Sequence, residues 1–249
     1  MKKQLHCMLS LPALLIGLAA AQLQAAVSIT PALLPDLNSF TAGSITLRQD
    51  IAERTVGIRY QSAGNIRSDV QSFKWNTEQA LAGIAIKLAS DASLSESQNF
   101  ELRIFEIAAV TNGSAVNSKL ETYQFSLSPA SIVGGNYLYL SIPNGLTLIK
   151  DRAYQFQLAA TSMVASNSLS FVATNSGNDP FPNGSGSQAS YNTDPTTVVS
   201  AGWDFTFALV AVPAVPEPAT AGLTLAGGIL TFVALLRWHR SNTRTRDQS

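Results

Sequence analysis

Residues 100–104 read Phe100-Glu101-Leu102-Arg103-Ile104, and residues 137–142 read Tyr137-Leu138-Tyr139-Leu140-Ser141-Ile142. Both stretches alternate with a period of two, which sends successive side chains to opposite faces of an extended chain. Phe100, Leu102 and Ile104 share one face and Glu101 and Arg103 take the other. Leu138, Leu140 and Ile142 likewise oppose Tyr137, Tyr139 and Ser141. The same alternation recurs at 84–88 and 154–158, and from Trp203 through Phe205 and Phe207 to Leu209. Further strands are expected at 55–60, 70–75, 121–127 and 169–174. Asn112-Gly113 and Pro143-Asn144-Gly145 place residues that tolerate positive φ between apolar runs, as hairpins and short loops require. No amphipathic helix interrupts the pattern. The expected fold is all-β: an antiparallel β-sandwich of jelly-roll type, built of about nine or ten strands. It spans 41–212, with 27–40 as an N-terminal linker. Residues 175–200 are rich in Asn, Gly, Ser, Asp and Pro and show little periodicity, so they read as one long loop.

The two ends of the chain belong to delivery and not to the fold. Lys2 and Lys3 precede an apolar run from Leu9 to Ala21, followed by small residues up to Ala26. This order of charge, apolar stretch and small residues is that of a signal peptide, assigned to 1–26. At the other end, 219–236 holds 18 residues without a charge, a length at the short edge of the ~17–25 residues of a membrane-spanning helix. Arg237, Arg240, Arg244 and Arg246 follow at once and form a stop-transfer cluster. Basic residues stay on the cytoplasmic side, so 237–249 is the inner tail and everything before Ala219 lies outside.

Between these ends, 27–218 contains no cysteine and no histidine, because Cys7, His6 and His239 all fall in the targeting segments. Disulfides therefore cannot hold the outer domain, and its stability rests on an apolar core. Ser-His-Asp triads, Cys-His pairs and ordinary zinc sites are excluded on the same count. The segment carries 15 acidic and 10 basic residues, a net charge of −5, which argues against nucleic acid as a partner.

Val215-Pro216-Glu217-Pro218, then an apolar helix, then an arginine cluster at the extreme end, resembles the PEP-CTERM sorting signal of Gram-negative bacteria. That resemblance implies processing by an exosortase, a membrane-embedded cysteine transpeptidase or protease. It also implies passage from an inner-membrane-anchored precursor to the cell surface or an exopolysaccharide matrix. The two prolines hold the motif, within 213–218, extended and unable to join a helix or sheet, which leaves Glu217 accessible to an enzyme at the membrane face. The basic cluster departs from an unbroken arginine run, since Trp238 and His239 stand between Arg237 and Arg240. The resemblance covers the tail alone. In general pattern the outer domain is similar to the jelly-roll and carbohydrate-binding-module sandwiches, a likeness at the level of fold.

The expected role is non-enzymatic, either structural or binding glycan or exopolysaccharide. Sugar recognition uses flat aromatic faces, and Tyr137, Tyr139, Phe181 and Tyr191 are the candidates. Trp75 and Trp203 adjoin apolar strands and read as core. No cofactor is expected beyond a structural calcium, for which Asp179, Asp194 and Asp204 supply oxygen ligands in or beside the long loop. The alternative is a carboxylate-based glycosidase, which needs two acids facing one cleft at about 5–10 Å.

Overall fold

The computed structural model describes residues 27–41, 43–62, 65–165, 167–175, 181–189, 196 and 198–213. The expected signal peptide, the Val215–Pro218 motif, the apolar segment and the terminal arginines lie outside the described residues. Along these residues the chain forms β1 (Val27–Ser28), β2 (Pro31–Leu34), β3 (Ile45–Gln49), β4 (Arg54–Ser62), β5 (Asn65–Lys74), β6 (Leu81–Lys87) and β7 (Gln98–Ile107). It continues through β8 (Val116–Leu127), β9 (Tyr137–Leu146), β10 (Ala153–Ala160), β11 (Ser168–Ala173), β12 (Gly184–Ala189), β13 (Val198–Trp203) and β14 (Phe207–Ala211). A short 3-10 turn at Pro129–Ser131 is the only helical element among the described residues.

Two sheets share one core. The larger runs β1-β8-β7-β10-β5-β12-β13, with β4 joined to β5 and β11 to β4; the smaller runs β2-β9-β6-β14-β3. Every pairing is antiparallel except that of β1 with β8. Register explains the expected alternation: Phe100, Leu102 and Ile104 of β7 lie opposite Ala160, Leu158 and Phe156 of β10, so one face is apolar on both strands. These residues meet Leu138, Leu140 and Ile142 from the smaller sheet in the same core. Aromatic rings bind the centre. Phe205 stacks on Phe156 at 5.9 Å between centroids and meets Phe171 and Trp203 edge-on at 5.5 and 5.0 Å.

Four features depart from the expectation. Residues 27–40, expected as a linker, supply β1 and β2; Ile29 and Leu37 are buried, and Pro31 opens an edge strand, where a missing N–H leaves no gap in the ladder. Pro143-Asn144-Gly145 makes a bulge within β9 instead of a hairpin. The register jumps from Gly83↔Ser141 to Leu81↔Leu146, with positive φ at Asn144 and Gly145.

The stretch from Trp203 to Leu209 keeps its alternation but belongs to two sheets. Trp203 ends β13 in the larger and Phe207 begins β14 in the smaller. A period of two fixes which side chains face the core, and both sheets face the same core, so the pattern is blind to the change.

The fourth departure is β12, which runs through the expected long loop as Gly-Ser-Gly-Ser-Gln-Ala between β5 and β13. Its missing side chains make room for aromatic ones. A Cβ at Gly184 would lie 2.5 Å from the Phe181 ring, and one at Gly186 would lie 2.4 Å from the Trp203 ring and 2.3 Å from the Trp203 carbonyl oxygen. Gly186→Ala is accordingly expected to destabilise the domain by about 1–3 kcal/mol or more through overpacking. Urea unfolding of the variant should show a lower midpoint, whereas an unchanged midpoint would mean that Trp203 yields freely.

Candidate functional site

In β4 the sequence Arg54-Thr55-Val56-Gly57-Ile58-Arg59 alternates, with Val56 and Ile58 in the core. In β11 Leu169 and Phe171 do the same. The register pairs Ile58 with Leu169 and Val56 with Phe171, so Arg59 comes opposite Ser168 and Gly57 opposite Ser170 on the other face. The segment after β6 runs alongside: the Ala89 and Ser93 N–H groups donate to the Ser170 and Ser168 carbonyls, which brings Asp91 to the rim. The result is a recess of about 230 Å³ lined by Arg54, Arg59, Asp91, Ser168, Ser170 and Gln188, among others.

Gln188 connects this recess to a polar layer beneath it. Its Nε2 donates to the Gly57 carbonyl at 3.1 Å and to Asp69 Oδ1 at 2.9 Å, and its Oε1 accepts from Arg67 Nη1 at 3.4 Å. Asp69 is fully buried in β5, and its Oδ2 has no hydrogen-bond partner among the described residues. Burial raises its carboxyl from the ordinary 3.8 to about 7, against the opposing pull of the Gln188 hydrogen bond and the positive charges of Arg59 and Arg67. At neutral pH the site therefore contains arginines over an acid that is partly protonated.

The residues singled out in the sequence lie elsewhere. Tyr137 and Tyr139 do stand on the face opposite Leu138 and Leu140, but Leu34, Leu37, Phe40 and Ile45 pack over that face. Tyr137 is 7% exposed and packs with Leu37, Ala85 and Ala208, while Tyr139 meets Phe40 edge-on at 5.0 Å. Phe181 is 6% exposed and meets Phe207 edge-on at 5.2 Å inside the core. The expected stacking platform is therefore corrected at Tyr137 and Phe181, whose rings are covered by apolar neighbours. Tyr191, Asp179 and Asp194 lie outside the described residues. Asp204 is no surface calcium ligand: it is 2% exposed, and its Oδ1 accepts from Gln71 Nε2 at 2.7 Å. Trp75 and Trp203 are core residues, as expected.

The exposed large apolar side chains among the described residues are Val27, Ile51, Val133, Ile149 and Val164, none of them aromatic. Several carboxylates are already engaged. Glu101 pairs with Arg103 at 2.6 Å and Glu106 with Arg152 at 2.8 Å, while Glu53 accepts the Asn175 N–H at 2.9 Å. Sequence reasoning missed the recess because its residues come from three separated strands. A usable signal was present in Arg54, Arg59 and Arg67, crowded onto one hairpin of an acidic domain.

No family model matches the chain, and no curated protein does. Among solved structures, a clostridial cysteine protease, Cwp84 after propeptide cleavage, aligns with a TM-score of 0.38 and 9% identity. The alignment covers 64% of this chain, which spans 38% of the protease's length. A likeness of that size carries no inference about either fold or chemistry.

Asp69 gives the domain a pH dependence whose sign follows from its raised value. Below the unfolded value near 3.8 both states hold the proton. As pH rises toward about 7, the unfolded chain releases it first and the native state loses stability, by about 4 kcal/mol at most. Above that range the loss is constant. Urea unfolding should therefore give a lower midpoint at pH 8 than at pH 5, and Asp69→Asn should reduce the difference; an undiminished slope in the variant would place the titration elsewhere.

Proposed function

We propose that this protein is an exported cell-surface or matrix protein, carried by the secretory route, anchored for a time in the inner membrane and released by an exosortase-type enzyme. The observation that carries this reading is the order of three parts: Val215-Pro216-Glu217-Pro218, the uncharged stretch 219–236, then Arg237, Arg240, Arg244 and Arg246. Each part has a separate physical task. The arginines resist translocation, the apolar stretch suits the bilayer, and the prolines disfavour helix and sheet on either side of Glu217.

The outer domain's work is non-enzymatic: it binds glycan, or packs as a structural element within exopolysaccharide. A disulfide-free sandwich with a polar recess supports the binding reading. The jelly-roll reading is favoured by the way consecutive strands change sheets, from β5 to β6, from β6 to β7, and again on either side of β9. Against a glycosidase stand the ion pairs that occupy Glu101 and Glu106, together with a recess whose lining, among the described residues, has a single carboxylate, Asp91.

The sorting mechanism is tested in the native host. Glu217→Ala should leave a larger, membrane-retained form on an immunoblot of fractionated cells, whereas the parent chain is found in shortened form outside. Normal release of the variant would refute processing at this motif.

A further inference from the structure

The cations of the described residues divide into two groups. Arg48, Lys74, Arg103, Lys150 and Arg152 each have a carboxylate partner, Asp50, Asp151, Glu101, Glu78 and Glu106 respectively. Arg54, Arg59, Arg67, Lys87 and Lys119 form no such ion pair, and the three arginines among them all sit on the β4–β5 hairpin. Arg54 and Arg59 line the recess. Glu53, next to Arg54 in the chain, is turned away to the Asn175 N–H, and Arg67 is held to Gln188. In a segment with a net charge of −5, two arginines that line one hollow yet form no ion pair, either with Asp91 in the same lining or with the buried Asp69, leave the hollow able to take an anion from outside.

We propose that the recess between β4 and β11 binds the carboxylated sugar units of an acidic polysaccharide, with Arg59 holding the carboxylate, Arg54 adding positive charge from the far end of the strand, and Ser168 and Ser170 facing the sugar hydroxyls. The planar forks of arginine match a carboxylate in paired, charge-assisted hydrogen bonds. Ser168 Oγ and Ser170 Oγ lie 3.1 Å apart and present two hydroxyls beside the guanidinium groups. Asp91 at the rim accepts hydrogen bonds from sugar hydroxyls and disfavours an unbroken run of phosphates. The volume of about 230 Å³ is below the roughly 300–1,000 Å³ of a site that encloses a drug-sized molecule, so one sugar unit enters while the polymer continues over the surface. This inference rests on the glycan-binding reading above and names the class of glycan.

The test is affinity electrophoresis of the full chain in detergent, through gels containing polygalacturonate, its fully methyl-esterified form, or double-stranded DNA. Polygalacturonate should slow the chain, and the esterified polymer and DNA should not. Arg54→Gln combined with Arg59→Gln should weaken retention about tenfold or more, as expected when charge-assisted hydrogen bonds are removed. Arg48→Gln, which removes an arginine that is already paired on the surface, should change it by less than about twofold. Thermal melts establish that each variant is folded. Undiminished retention of the double variant, an equal loss in Arg48→Gln, or equal retention by DNA would overturn the proposal. Retention by the esterified polymer that survives the double substitution would overturn the recess while leaving glycan binding intact. Failure of every polysaccharide to retain the chain would overturn both.

Discussion

The backbone of Asp204, Phe205 and Thr206 must cross from the larger sheet to the smaller through an apolar interior. A buried N–H or C=O left without a partner there costs about 1–3 kcal/mol, so the crossing stands only if its polar groups are met on the way. Neighbouring strands meet them. The Phe205 N–H donates to Gln71 Oε1 and the Asp204 N–H to Thr174 Oγ1, both at 2.9 Å, while Gln49 Nε2 donates to the Phe205 carbonyl at 2.9 Å. Thr206 exchanges backbone bonds with Val172 and Lys87, one from each side of the sandwich. With the backbone held, the Phe205 side chain takes its place among Phe156, Phe171 and Trp203. Without disulfides, this juncture of glutamine, threonine and aromatic side chains joins the two sheets.

The recess depends on a second glutamine used in the same manner. Gln188 links the Gly57 carbonyl, the buried Asp69 and Arg67, so the hairpin of β4 and β5 is tied to β12 by side-chain bonds as well as by strand pairing. The outer face of the larger sheet is also polar and buried, with Gln157 Nε2 on Ser68 Oγ at 2.8 Å and Arg103 Nη1 on Gln157 Oε1 at 3.3 Å. These amides offer two donors and an acceptor on a short arm, which suits them to closing gaps that neither apolar groups nor full charges could fill at low cost.

Much of the sandwich was legible because period-two alternation states a local fact about which side chains face inward. Phe100, Leu102, Leu138, Leu140, Phe156 and Leu158 are all in the core for that reason. What stayed hidden depended on partners far away in the chain. Gly184 and Gly186 resemble loop residues until Phe181 and Trp203 are seen to fill their space. Tyr137 looked available because its alternation was right, yet alternation cannot reveal that Leu34, Leu37 and Phe40 lie over it. The recess was hidden in the same way: Arg59, Ser168 and Gln188 are brought together by register, and register is not written in any one segment.

The position of β14 has a consequence for the order of events as the chain folds. Phe207–Ala211 lies between β6 and β3 in the smaller sheet, so residue 209 must find residues 47 and 84 before that sheet is complete. Contacts so distant along the chain form slowly, and a polypeptide threaded from its first residue onward would wait half-built, its Leu47 and Ile84 unshielded, until this last piece emerges. Once it has docked, the pairings of Ala211 with Ser44 and of Val212 with Ala80 close the sandwich.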